Sequence, residues 1–163
     1  MADSLKALSL AIGLLGSDPS VNAGEWREYV WRTQTIDTCL KTSCPPISLK
    51  WDWKRPQTVT VSLTPTMNGL TIRTRLSNDD PLDGDDVCVT LLLRDQAGAT
   101  IAVFHENRHS DPGTDITGST TLSLGKKVIS AIRSVALGTK QCRGGPQQDD
   151  AIYRKARKML GQR

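Results

Sequence analysis

From Ile47 onward apolar residues fall at every second position: Ile47, Leu49, Trp51 and Trp53 alternate with Ser48, Lys50, Asp52 and Lys54. That period of two marks a strand with one buried and one wet face. Thr58 to Thr64 repeats the pattern, with Val59, Val61 and Leu63 inward and Thr58, Thr60 and Ser62 outward. A turn through Asn68-Gly69 then leads back along Leu70 to Leu76, which predicts a β-hairpin with a loop of four or five residues. Val87 to Arg94 and Ala99 to Glu106 predict a second hairpin around Asp95, Gln96, Ala97 and Gly98, and a short strand near Thr120 to Leu124 follows. Five or six strands in hairpin order imply an antiparallel sheet.

Outside this region the period is helical. Leu5, Leu8, Ile12 and Leu15 recur at steps of three and four behind the capping candidates Asp3 and Ser4, and Gly13 and Gly16 end the run. After Gly125, Val128, Ile129, Ile132, Val135 and Ala136 form an apolar stripe opposed by Lys126, Lys127, Ser130 and Arg133, a helix expected to lie on the apolar face of the sheet. Residues 139–148 break the pattern. Asp149-Asp150 then caps a last helix carrying Ile152, Ala156 and Leu160. Residues 24–36 fit either a helix, through Trp26 and Val30, or a strand, through Arg27, Tyr29 and Trp31. The expected fold is therefore α+β: an antiparallel sheet of five or six strands packed against C-terminal helices, with an N-terminal helix. One domain spans 1–163, made of a helical or irregular arm over 1–46, the sheet over 47–124 and basic helices over 125–163.

Charge changes the picture more than composition does. Residues 1–124 hold 11 Lys and Arg against 15 Asp and Glu, whereas residues 125–163 hold 10 against 2. A basic tail behind an acidic body points to a polyanionic partner. With one Phe and two Tyr, the aromatic core falls to four Trp. Cys39, Cys44, Cys88 and Cys142 show no paired metal-ligand spacing and read as free thiols in a reducing compartment, with disulfides within or between subunits as the alternative. The apolar run Ala7 to Leu15 has signal-peptide length but follows Asp3, and Lys6 alone supplies positive charge, which argues against secretion. No apolar stretch reaches the roughly 20 residues of a membrane span, so a soluble protein is expected.

The candidate chemistry lies on the wet face of the sheet, which would gather Lys50, Lys54, Thr58, Thr60, Ser62, Thr71, Arg73, Arg75, Thr90 and Arg94. Hydroxyls interleaved with Lys and Arg bond phosphate and sugar oxygens while admitting a nucleic acid strand closely. The plain alternative is that Thr is a good strand former and Arg a soluble surface residue. Arg154, Lys155, Arg157 and Lys158 would add salt-sensitive affinity through counterion release, or simply solvate a helix face. Of the tryptophans, Trp26 and Trp31 could stack on bases, while Trp51 and Trp53 read as core anchors. The acidic stretch 77–86, with Asp79, Asp80, Asp83, Asp85 and Asp86, lacks the spacing of a helix-loop-helix calcium site and reads as a solvated loop. His105, Glu106 and His109 fall at a strand end rather than on a helix face, and Asp115 and Ser119 belong to no nucleophile motif, so neither a metal site nor catalysis is expected.

Sheet followed by two helices, with a basic, Thr-rich outer face, resembles in element order the coat proteins of single-stranded RNA bacteriophages. The resemblance covers about residues 47–163. It implies RNA contacts at Lys50, Thr58, Thr60, Arg73 and Arg75 and subunits that associate. Separately, no cofactor, membrane or small-molecule substrate is expected. The expected function is that of an RNA-binding structural protein, a small viral coat that self-assembles around single-stranded RNA in the virion or host cytoplasm. The alternative is a dimeric accessory protein of the silencing-suppressor type that sequesters duplex RNA, with Trp26 or Trp31 against the duplex ends.

Overall fold

Eight strands account for about half of the described residues in a computed structural model that describes residues 21–36 and 39–162. They are β1 (Val30–Thr35), β2 (Ile47–Asp52), β3 (Gln57–Thr66), β4 (Gly69–Asn78), β5 (Asp85–Arg94), β6 (Thr100–Ser110), β7 (Asp115–Leu122) and β8 (Ser134–Gln141). Two short α-helices, α1 (Lys126–Ala131) and α2 (Asp150–Met159), and one-turn helices at Ala23–Glu25 and Cys39–Lys41 join them. The strands form two four-stranded antiparallel sheets. The first has the order β1-β8-β5-β6 and the second β2-β3-β4-β7.

This overturns the expectation of one five- or six-stranded sheet backed by helices. Alternation along β2, β3 and β4 is readable and the β5–β6 hairpin is placed by its turn, but hairpin order does not reveal which sheet a hairpin joins. The β3–β4 and β5–β6 hairpins belong to different sheets, and the two sheets, rather than a sheet and helices, enclose the main core. Val59, Val61, Leu63, Ile72 and Leu76 from the second sheet meet Val89, Leu91, Leu93, Phe104, Val135 and Leu137 from the first. Each fully buried Leu, Ile or Val contributes about 1.5–3 kcal/mol relative to exposure, so this layer dominates stability.

The helix expected after Gly125 is also corrected. It stops at Ala131, and Ser134–Gln141 instead forms β8, paired with β1 on one side and β5 on the other. A central strand buried on both faces loses its polar alternation. Val135, Leu137 and Thr139 face the second sheet, while Ala136, Gly138 and Lys140 face away. Gly138 is required there, because the Trp31 ring lies across it and a Cβ would sit 2.6 Å from a ring carbon. The ambiguous segment 24–36 resolves into a one-turn helix at Ala23–Glu25 and strand β1. The helix expected over Leu5 to Leu15 lies outside the described residues.

The β3–β4 turn is tighter than expected, since Thr66 pairs directly with Gly69 across Met67 and Asn68. Gly69 (φ 144°) lies so close to the Leu122 carbonyl that a Cβ would fall 1.9 Å from its oxygen. The sandwich margins are laced by side chains. Arg32 donates to the Ser48 carbonyl at 2.9 Å and Arg108 to that of Thr117 at 3.0 Å. On the free edge of β6 the Gln162 amide accepts from the Val103 N–H and donates to its carbonyl, at 3.0 and 2.8 Å. These contacts occupy edge groups that would otherwise recruit another strand.

The cysteines are disulfide-bonded, Cys39 to Cys44 and Cys88 to Cys142, which corrects the reading as free thiols. Spacing hid the second pair, because the β5–β8 ladder is what brings positions 88 and 142 together.

Candidate nucleic-acid interface

The outer face of the second sheet is built by strict alternation. Inward Val59, Val61 and Leu63 leave Thr58, Thr60, Ser62, Thr64 and Thr66 outward on β3. Inward Leu70, Ile72, Thr74 and Leu76 leave Thr71, Arg73, Arg75 and Ser77 outward on β4. Strand registry then sets cross-strand rows: Lys50–Thr58–Ser77–Asp115, Ser48–Thr60–Arg75–Thr117, Ser62–Arg73–Ser119 and Thr64–Thr71–Thr121. Adjacent members of a row lie roughly 5 Å apart, so hydroxyls touch. Ser48 and Thr60 share a hydrogen bond of 2.8 Å, and Thr71 and Thr121 one of 2.9 Å. Ser62, Thr64, Thr66, Thr71 and Arg73 line a shallow depression of about 360 Å³.

Lys50, Thr58, Thr60, Ser62, Thr71, Arg73 and Arg75 thus share one face. Their charges are not equivalent. Asp115 takes the Arg75 guanidinium in a forked ion pair, with Nε donating at 2.8 Å, and that bond holds the Asp115 carboxyl below its ordinary range. Lys50 and Arg73 are exposed and form no ion pair among the described residues. Thr117, Ser119 and Thr121 were missed by sequence reasoning, because Gly118 and Thr120 occupy the inward positions between Ile116 and Leu122 and erase the alternation.

Other expected contacts lie elsewhere. Lys54 sits in the β2–β3 turn with its ammonium 5.1 Å from the Trp53 ring centre, and Trp53 is 81% exposed, not a core anchor. Arg94 ends β5 in the first sheet. Thr90 is buried in that sheet, hydrogen-bonded to His105 at 2.9 Å.

Arg154, Lys155, Arg157 and Lys158 ride on α2, which packs on the far face of the first sheet. There Ala156, Trp26, Leu92, Val103 and Ala136 form a second, smaller core with half-buried Ile152, Tyr153 and Trp31. The basic helix and the hydroxyl face therefore lie on opposite sides of the sandwich. Trp26 is 2% exposed and Trp31 covers Gly138, so both indoles assigned to duplex ends are used internally.

A polar network lies under α2. The Lys140 ammonium donates to the Asp149 carboxylate and to the Arg27 carbonyl, both at 2.8 Å, and lies 4.6 Å from the Tyr29 ring centre. The Tyr29 hydroxyl donates to Asp149 at 3.1 Å, and burial pushes this phenol well above its ordinary range. His105 bridges Thr90 and the Gln148 carbonyl, and burial lowers its pKa. Each group has a partner because desolvating it without one would cost several kcal/mol.

The acidic stretch folds back on itself. Asp80 Oδ1 accepts from the Leu82 and Asp83 amides at 2.9 Å, and Arg55 faces Asp52, Asp80 and Asp83. His109 is exposed and pairs with Asp86 and Asp111, apart from buried His105. Among the described residues no group of three or more His, Cys, Asp or Glu is placed to hold a metal ion. No helix of the described chain is long and apolar enough to cross a membrane.

No family model matches the chain, and no curated protein matches its sequence. Among solved structures, it is similar to the enzymatically active domain of tailspike protein 4 of bacteriophage CBA120, at 13% identity and a TM-score of 0.27. The match covers 74% of this chain but only 19% of the tailspike chain.

Proposed function

We propose that the chain is an RNA-binding structural protein of coat type, which self-assembles and holds single-stranded RNA against the outer face of its second sheet. The observation that carries the proposal is the cross-strand array in which Lys50 and Arg73 stand, without carboxylate partners among the described residues, inside a field of Ser and Thr hydroxyls. Cations neutralise phosphates, and short hydroxyls bond sugar and phosphate oxygens without holding the strand away. The cross-strand rows carry no aromatic side chain, exposed Trp53 lying in the β2–β3 turn, so the face favours backbone contacts and tolerates sequence. Arg154, Lys155 and Lys158 supply a separate basic surface on the opposite side, suited to RNA held between stacked subunits. Two disulfides favour the virion over a reducing cytoplasm.

The test has two parts. Binding of fluorescent single-stranded RNA is measured by anisotropy over a salt series, where affinity should fall steeply with salt. The mass and the 260/280 nm absorbance ratio of the purified protein are measured together, where a multi-subunit particle carrying nucleic acid is expected. RNA-free monomer that retains no RNA at low salt would remove the proposal.

A further inference from the structure

At one end of the sandwich the last residue of β1, the turn at Cys39–Lys41, the β5–β6 turn and α1 enclose an open cleft of about 770 Å³. Pockets of roughly 300–1,000 Å³ are the size that takes a small organic ligand. The floor is aliphatic: Ile132 is buried, and Leu40 and Ile129 are half-buried. Lys41, Lys126 and Arg133 stand around it against one carboxylate, Asp95. That carboxylate is already committed, since its Oδ1 accepts from the Ala97 and Ala99 amides, both at 2.9 Å, and so holds the β5–β6 turn. Arg133 is fixed at the rim by donating from Nη1 to the Ser130 and Ile132 carbonyls, at 2.6 and 3.0 Å. Lys41 and Lys126 are exposed and form no ion pair among the described residues.

A greasy floor under a cationic rim matches a ligand with two ends. We propose that this cleft is a binding site for an amphipathic anion, an aliphatic chain carrying a phosphate or similar headgroup. The chain lies on Leu40, Ile129 and Ile132, and the headgroup sits among Lys41, Lys126 and Arg133. An aliphatic body fits better than a nucleobase, because no aromatic ring lines the cleft for a base to stack on. The site shares no residue with the hydroxyl face of the second sheet, so it stands or falls independently of RNA binding.

The experiment is an amide-resolved NMR titration of the full-length oxidised protein with octyl phosphate, inorganic phosphate and octyl glucoside as separate probes. Octyl phosphate should give saturable shifts at Gly98, Ser130 and Ser134, and each of the other probes should bind at least about tenfold more weakly, having lost one end. Lys126→Glu and Ile129→Ser each remove one half of the site and should weaken octyl phosphate at least about fivefold, whereas Arg73→Ala should leave it unchanged. The proposal is overturned if octyl phosphate moves no cleft amide, if either single-ended probe matches it, or if both cleft variants bind as the parent does. Should a variant lose its folded spectrum, the three-probe comparison on the parent protein decides alone.

Discussion

The second sheet turns Thr60, Ser62, Arg73 and Thr121 to solvent, whereas the outer face of the first sheet turns Thr90, His105, Asn107 and Lys140 toward α2 and the Trp26 segment. Both faces are polar, yet they obey different rules. On the open face each hydroxyl finds water or a neighbour, so side chains are nearly independent and free to be set by a ligand. Under α2 the buried ionisable groups are matched within the protein, so Lys140, Asp149 and Tyr29 depend on one another. Coupling is therefore expected to concentrate on the covered side and recognition on the open one.

The largest expected effect probes what ties the covered side together. Replacing Cys88 and Cys142 with Ala opens a ring whose ends are 54 residues apart. Chain-entropy reasoning puts the cost at about 4 kcal/mol, against about 2 kcal/mol for opening Cys39–Cys44. Urea unfolding of the two double variants should preserve that order, and equal losses would show that ring size is not what matters.

Next comes the buried ion pair. Lys140→Ala strands the Asp149 carboxylate, which is only 12% exposed, and should cost about 3 kcal/mol. The double variant Lys140→Met with Asp149→Asn should recover most of that loss, because it removes both charges and Asn tolerates the left-handed backbone at position 149 (φ 66°). Additive losses in the double-mutant cycle would show that the two groups act separately.

The third effect depends on pH. Burial lowers the His105 pKa below its ordinary 6.5, so the folded chain prefers the neutral ring while the unfolded chain takes up a proton. The unfolded state then binds more protons, and stability should fall as pH drops from about 6.5 through the folded value. Asp149, Asp150, Lys140, Trp26 and Tyr153 surround the ring, and the nearby acids oppose the shift without reversing it. Glu106, whose pKa burial raises, works in the opposite sense around its ordinary 4.5. Comparison with His105→Gln isolates the histidine, and an unchanged pH slope in that variant would exclude it as the source.

The smallest expected effect on stability lies on the open face. Arg73→Ala should change unfolding free energy by less than about 0.5 kcal/mol. It should also weaken RNA binding several-fold and reduce the salt slope by about one. A large stability loss with unaltered RNA affinity would invert the contrast between the faces.

The parts of this arrangement that could be read beforehand are those where one face is wet. Alternation in β3 and β4 correctly sorted Val59 from Thr60 and Ile72 from Arg73. β8 escaped because Val135, Ala136 and Leu137 are buried on both sides, and their spacing from Ile129 and Ile132 also suits a helix. Trp53 was misplaced because β2 ends at Asp52, one residue before the alternation does. The cleft was invisible since its residues come from segments far apart in sequence, joined only when β1 pairs with β8.

The position of β8 has a consequence for biosynthesis. Every ladder contact of β1, and one whole side of β5, waits for β8 to leave the ribosome. Until residues 134–141 emerge, the nascent first sheet has a slot at its centre lined by unsatisfied backbone groups. It is a template into which a neighbouring chain's strand could slip. β8 is thus a keystone, and a chain released before it would be aggregation-prone rather than merely less stable.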